Sequence, residues 1–371
     1  MIDEKVLKFI FVGDVHICDK IERSYEFTNL LAGKKIYEYF KASDLVIANL
    51  EAPISDRGKA NIFKHTSLRI SSDMSNAIHL LGVDVCSLAN NHMKDYGKDA
   101  YVDTLNYLKK SRIHTVGIGD TLYEAKTPLI LTVKELAIGI LNYTSIRDVW
   151  AGIDNYGTAR EIRNEVVDDI KNLKKSVDII IILLHTGVEF SHVPTKEVMN
   201  NCHEYIDVGA DIVVCHHPHV LQGIEEYGNG IIAYSLGNFI FDPRILAKND
   251  CNASESVILS IEILPKGNKK FQVEPVTLNE IGIPNFIENV DERLNATKRF
   301  QELCNLLDDN KLLVQLQKEE NIKNSKFQLN IVLNEIKRSG FPYLLHLLKT
   351  RRIRMKHLKS LFYSIIRLVK V

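Results

Sequence analysis

The chain has 371 residues, 45% apolar and 25% charged, the proportions of a globular protein with an ordinary core. Its 47 Lys and Arg balance 47 Asp and Glu, so no global field points to nucleic acid or another acidic polymer. Six cysteines (Cys18, Cys86, Cys202, Cys215, Cys251 and Cys304) are scattered without a C-x-x-C pairing. That argues against a disulfide framework or a thiolate zinc site and for reduced, partly buried thiols.

The N-terminus, "MIDEKVLKFIFVGD", places two acids ahead of a short apolar run, so it reads as neither a signal peptide nor a spanning helix. A cytoplasmic location is the expectation. Short apolar runs then recur: "LKFIFVGD", "DLVIANLE", "VDVCSLANNH", "HTVGIG", "ELAIGILNYT", "VDIIIILLHTG", "ADIVVCHHPH" and "GIIAYSLGNF". Each is brief, mostly β-branched or aromatic, and ends in polar residues, which predicts strands. Helical spacing appears between them. "SNAIHLLG" stops at Gly82, "KDAYVDTLNYLKKS" repeats the pattern, and "REIRNEVVDDIKNLKKS" turns Val166, Ile170 and Leu173 inward. Alternation from residue 6 to about 220 predicts an α/β domain with much parallel sheet.

After Asn238 the pattern changes. "SESVILSIEIL" and "KKFQVEPVTL", split by "PKGNK", predict a β-hairpin. From about residue 286 the chain reads as helical, so the domains are drawn at 1–283 and 284–371. The last stretch, residues 344–371, carries eight Lys or Arg and no acid. Drawn as a helix it has a broad apolar stripe beside basic residues. That is too charged to span a bilayer but suits the interface of an anionic membrane, with peripheral attachment at the inner surface. A helix packed on the domain with a solvated basic face is the alternative.

The strand ends carry metal-ligand chemistry. "FVGDVH" offers Asp14 and His16 at i, i+2, on one side of an extended strand. "IANLE" offers Asn49 and Glu51, "ANNH" Asn91 and His92, "LLHTGVE" His185 and Glu189, and "CHHPH" His217 and His219. In open α/β sheets the carboxyl ends of strands face one crevice, so five polar ends would meet there. A mixed imidazole and oxygen set without thiolate favours Mn, Fe or Zn. Seven ligands exceed one site. Two divalent ions sharing a bridging carboxylate, about 3.5–4 Å apart, would use them all.

In this order the motifs resemble the calcineurin-like metallophosphoesterases. More narrowly they resemble the CapA family of capsule and poly-γ-glutamate biosynthesis proteins, over residues 6 to 245. The stretches that carry the resemblance are "NLEAPIS", "SLANNHMKDYG", "VGIGDTLYEAKTP", "LLHTGVEF", "GADIVVCHHPHVLQGIE" and "IIAYSLGNFIFD". The fold implied is an α/β metallophosphoesterase β-sandwich flanked by helices, here with a C-terminal helical appendage. By position, Asp14, His16 and His219 would hold one metal, Asn91, His185 and His217 the other, and Glu51 would bridge. The wider superfamily has Asp at the bridging position, whereas CapA relatives share the NLE. His92 would be the general acid, and Asn90 would brace the turn.

Around that centre, Lys64 and Arg69 in "FKHTSLRI" are candidates for anion binding. Glu189 would orient His185 or contact substrate, Ser235 and Asn238 would line the site, and His65 and His216 are set aside as bystanders. The resemblance implies a binuclear phosphoesterase acting on a phosphorylated or anionic small molecule or polymer end, with no nucleic acid partner. The alternatives are a non-catalytic assembly or export factor of a polymer synthase, and a γ-glutamyl amide hydrolase or transferase.

Overall fold

The computed structural model describes residues 6–33, 35–64, 66–246, 251–320 and 322–323. His65 and the basic segment 344–371 lie outside the described residues, as does most of the segment after residue 320. In chain order the first strands are β1 (Leu7–Val15), β2 (Leu45–Leu50), β3 (Val85–Ser87), β4 (His114–Val116), β5 (Ile118–Gly119), β6 (Leu129–Val133), β7 (Leu136–Thr144) and β8 (Gly157–Thr158). They are followed by β9 (Ile179–His185), β10 (Ile212–His216), β11 (Ile224–Tyr227), β12 (Gly230–Ala233), β13 (Asn238–Ile240), β14 (Glu255–Ile263), β15 (Lys269–Leu278) and β16 (Pro284–Phe286).

Two sheets result. One runs β16-β15-β14-β1-β2-β3-β4, with β13 added beside the end of β1; the other runs β11-β12-β10-β9-β7-β6. Strands β1 to β4 pair in parallel, as do β7, β9, β10 and β12, while β14 and β15 form the expected antiparallel hairpin. The expected β-sandwich flanked by helices is what forms.

Strand alternation builds its layers. Phe9, Phe11, Leu45, Ile47 and Val85 of the first sheet share one core with Ile138, Ile181, Leu183, Ile212 and Val214 of the second. The intervening residues, such as Ile10, Val12, Val46 and Ala48, face helices on one outer side, and Leu141, Ile180, Ile182 and Val213 face helices on the other. Helix Arg163–Leu173 buries Val166, Ile170 and Leu173, and helix Lys196–Asp207 buries Val198, Cys202, Tyr205 and Ile206. That second helix, like those between residues 19 and 40, has no counterpart in the sequence reading.

Strand β16 extends the first sheet just past residue 283, and Phe300 of helix Val290–Leu306 is buried in the inter-sheet core. No helix among the described residues is long and apolar enough to cross a membrane.

At the carboxyl ends of the strands the inter-sheet layer turns polar. Continuing the inward positions leads to Asn49 and Ser87 in one sheet and to Asn142, Thr144, His185 and His216 in the other, all buried. Asp14 would be an exception, because strict alternation groups it with Ile10 and Val12 on the helix-covered face. A β-bulge at Gly13 corrects this: Val12 pairs with Ala48, and Asp14, not Gly13, pairs with Asn49. The extra residue turns Asp14 onto the inner face, a common use of bulges beside functional sites. Only glycine fits there, since a Cβ on Gly13 would lie 2.1 Å from the Gly237 carbonyl oxygen.

Candidate metal centre

Five of the seven proposed ligands converge as two overlapping groups. Asp14, Glu51 and His185 form one, and Glu51, His217 and His219 the other, with the donor atoms of each group within 4.8 Å of one another. Glu51 is common to both, the position a bridging carboxylate needs. The grouping crosses the partition implied by the resemblance, since Asp14 lies with His185 and His217 with His219. Asp14 Oδ2 is nevertheless also 3.2 Å from His219 Nδ1. Asn91 joins through its Oδ1, 3.0 Å from His185 Nε2. His16 stands outside both groups: its Nε2 is 3.3 Å from the Arg69 carbonyl oxygen, and its buried Nδ1 has no hydrogen-bond partner.

The backbone is bent to make this possible. His217 and His219 have φ of 99° and 61°, a region that non-glycine residues rarely adopt and that costs of order 1–3 kcal/mol each. The neighbouring loop holds them there, with Phe190 N–H donating to the Pro218 carbonyl at 2.8 Å and the Phe190 ring beside His219.

The electrostatics call for added positive charge. Burial drives Glu51 well above the usual carboxylate range, with His219 working against it and Asp14 and Glu189 adding to it. For Asp14 burial acts in the same direction, but His216 and His219 outweigh it and hold the carboxyl well below its ordinary value. Burial disfavours the charged ring of His219, yet Glu51 and Asp14 push its pKa up to about 10. Burial instead lowers His217 and His16 to about 4, and His185 well below normal. Asp14 Oδ2, both Glu51 oxygens, His16 Nδ1 and His217 Nδ1 are buried without hydrogen-bond partners. Buried carboxylates beside neutral imidazoles with orphaned donor atoms are the pattern a divalent-cation site requires, and these residues fit one.

His92 sits at the edge of the centre, its Nε2 3.8 Å from Glu51 Oε1. Its Nδ1 is 2.6 Å from Asp95 Oδ2, and Lys64 Nζ reaches the other Asp95 oxygen at 2.6 Å and the Asn91 carbonyl at 2.7 Å. Burial, then the Lys64 charge, lower the His92 pKa. Asn90 braces the turn, donating to the Leu50 carbonyl and accepting from His92 N–H.

Several sequence assignments change in three dimensions. Lys64 is largely buried, with its ammonium paired to Asp95 and 3.0 Å from His92 Nδ1. Arg69 is exposed, with its guanidinium over the Tyr96 ring. Asn238 is fully buried; its amide donates to the His219 and Ala253 carbonyls and its oxygen lies 3.0 Å from His219 Nδ1. Its side chain is taken up by these contacts, which tie it to His219. The Ser235 hydroxyl accepts from Gly237 N–H. Glu189 is half-buried on the loop after β9, where its charge acts on Glu51, Lys64, His217 and His219. His216 is no bystander: its Nδ1 is 3.3 Å from Asp14 Oδ1.

Asp95 was missed in the sequence, and Asn49 was singled out there without a role. The first was findable at i+3 from His92 in "NNHMKD". The second donates from Nδ2 to Asp14 Oδ1 at 2.7 Å, a contact that exists only once the bulge has turned Asp14 inward.

A family model described as bacterial capsule synthesis protein PGA_cap matches residues 8–243. The PGA biosynthesis protein CapA of Bacillus subtilis (strain 168) is 30% identical over 285 residues, covering 75% of this chain and 73% of that protein. The capsule biosynthesis protein CapA of Bacillus anthracis is 28% identical over 294 residues, covering 75% and 69%. Solved structures resemble the chain more loosely. A 5'-nucleotidase precursor from Thermus thermophilus aligns at a TM-score of 0.44 and 13% identity, over 80% of this chain and 59% of that one. That likeness is too loose to carry an activity across.

Proposed function

The chain belongs to the bacterial capsule synthesis family PGA_cap, and on that premise we propose a metal-dependent phosphoester hydrolase serving capsule, poly-γ-glutamate or another surface polymer. Asp14, Glu51, His185, His217 and His219, with His16 and Asn91, would hold two divalent ions of Mn, Fe or Zn. Such ions supply Lewis acidity and a nucleophile from water near neutral pH. The chain's own residues do the rest. His92 presents Nε2 to the centre and donates a proton to the leaving oxygen, a role that contributes roughly 10²–10⁴-fold. Asp95 accepts from Nδ1, fixes the orientation of the ring and favours its doubly protonated form, so that Nε2 carries the proton it gives up, and Lys64 holds Asp95 in place. The substrate proposed is a phosphorylated or anionic small molecule or polymer end, not nucleic acid.

The observation that carries this reading is the buried Lys64–Asp95–His92 chain behind the metal centre. A purely structural metal site has no use for a proton donor held against it by a buried carboxylate and ammonium. A second reading, a non-catalytic assembly or export factor, is favoured by the relatives' descriptions, which name a pathway and no reaction.

The test is to strip the protein with chelator, reload Mn, Fe or Zn, and count ions per chain. The reloaded protein is then assayed on p-nitrophenyl phosphate, bis(p-nitrophenyl) phosphate and γ-glutamyl-p-nitroanilide. Metal-dependent release from a phosphoester is expected. Two bound ions with no turnover would overturn the hydrolase in favour of the assembly factor, and release from the anilide alone would make it an amidohydrolase.

A further inference from the structure

We infer that His216 is a positioning residue of the metal centre, holding Asp14 Oδ1 so that Asp14 Oδ2 is the oxygen left for a cation. The inference rests on the metal-binding reading above and assigns a role to a side chain outside both ligand groups.

The argument begins with alternation on β10. Ile212 and Val214 face the inter-sheet core, whereas Val213 and Cys215 face the outer helices. His216 therefore points inward at the end of the strand, and it is 3% exposed. Its position along the strand is fixed from the β9 side: it pairs with His185, and its carbonyl accepts from Thr186 N–H at 3.0 Å. Across the gap between the sheets stands Asp14, with His216 Nδ1 3.3 Å from its Oδ1.

Asp14 needs lateral support. It sits on a bulge, where the regular ladder does not fix the direction of a side chain. Asn49, from its own sheet, donates to Oδ1 at 2.7 Å. His216 approaches the same oxygen from the opposite sheet. Asp14 Oδ2, by contrast, is buried with no hydrogen bond, and so is His216 Nδ1, whose 3.3 Å contact is not yet aligned as a hydrogen bond. A small rotation of the ring brings an Nδ1–H onto Oδ1 and removes one of these two orphans. Oδ2 lies 3.2 Å from His219 Nδ1, but that nitrogen is 3.0 Å from Asn238 Oδ1, which leaves Oδ2 available to a cation. With two donors on Oδ1, the carboxylate is held against rotation and offers a single oxygen.

Partners of this kind hold ligand orientation, and their loss typically costs about 10–100-fold in metal affinity. Chelator competition with Mn and with Zn reads this directly, without any assay of turnover. His216→Leu removes the donor and is expected to weaken binding roughly 10–100-fold. His216→Asn places an amide N–H close to the Nδ1 position and should bind within a few-fold of wild type. His216→Gln places its amide near Nε2 instead and should resemble the leucine variant. Thermal melts of the metal-free proteins show whether each variant folds; if the leucine variant does not, the asparagine and glutamine pair still decides.

Wild-type affinity in His216→Leu, or equal affinity in the asparagine and glutamine variants, overturns the inference while leaving the metal centre intact. Failure of the wild-type protein to bind either metal removes the metal-binding reading itself.

Discussion

His92 and Asp95, three residues apart in the turn after β3, meet at 2.6 Å through Nδ1 and a carboxylate oxygen, and the contact leaves Nε2 facing Glu51 at 3.8 Å. Since the ring faces the centre without belonging to its ligand groups, His92→Ala is expected to cut phosphoester turnover by roughly 10²–10⁴-fold while metal content stays at the wild-type value. Turnover assays paired with elemental analysis check this. Loss of metal along with activity would place His92 among the ligands.

Gly13→Ala tests the bulge. The added Cβ meets the Gly237 carbonyl oxygen, a backbone atom that cannot swing aside as a flexible side chain can. Overpacking of this kind costs typically about 1–3 kcal/mol. The expected outcome is a lowered melting temperature together with weaker metal binding, because Asp14 and the β13 neighbour that supports it must separate. A variant with unchanged melting and affinity would show that the bulge tolerates a side chain.

The Arg57–Asp103 pair predicts a pH dependence of stability away from the centre. Arg57 grips both Asp103 oxygens, at 2.9 and 2.5 Å, and Ser55 donates at 2.6 Å. The Arg57 hydrogen bond, against a smaller opposing effect of burial, lowers the Asp103 pKa. A carboxyl depressed in the folded state adds stability above its unfolded pKa of about 3.9, and loses it as pH falls through the folded value. Asp103→Asn should therefore melt below wild type at pH 7, with the gap closing as the pH drops below about 4. Arg57 is exposed, so the effect is small. A gap that stays constant from pH 7 to pH 3 would rule the pair out as its source.

For residues 344–371 we propose attachment to an anionic membrane surface, because eight basic residues and no acid are interspersed with Leu, Ile and Phe. Vesicles containing anionic lipid should sediment the full chain at low salt, and should leave a version ending near residue 340 in solution. Equal behaviour of the two would assign the tail to packing on the domain.

Much of the fold was legible because short β-branched runs and their polar ends are local properties. "LKFIFVGD", "VDIIIILLHTG" and "ADIVVCHHPH" each announce a strand, a buried stretch and a polar end rich in Asp or His without reference to any other part of the chain. Their common direction followed from the helical segments between them. What the sequence could not decide was which side chains meet across the two sheets. Strict alternation would have turned Asp14 away from the centre, and only pairing with β2 and the close approach of Gly237 reveal the bulge that turns it back.

Lys64 read as a free cation near the site, yet the loop that carries it folds down onto Asp95. Asn238 read as a pocket residue and His216 as a bystander, and the first meets His219 and the second Asp14, each from another part of the chain. The physical reason is the same in each case. The periodicity of a strand determines which face a residue takes, but its partner is chosen by the register and separation of elements far apart in the chain, and those distances exist only in the packed protein.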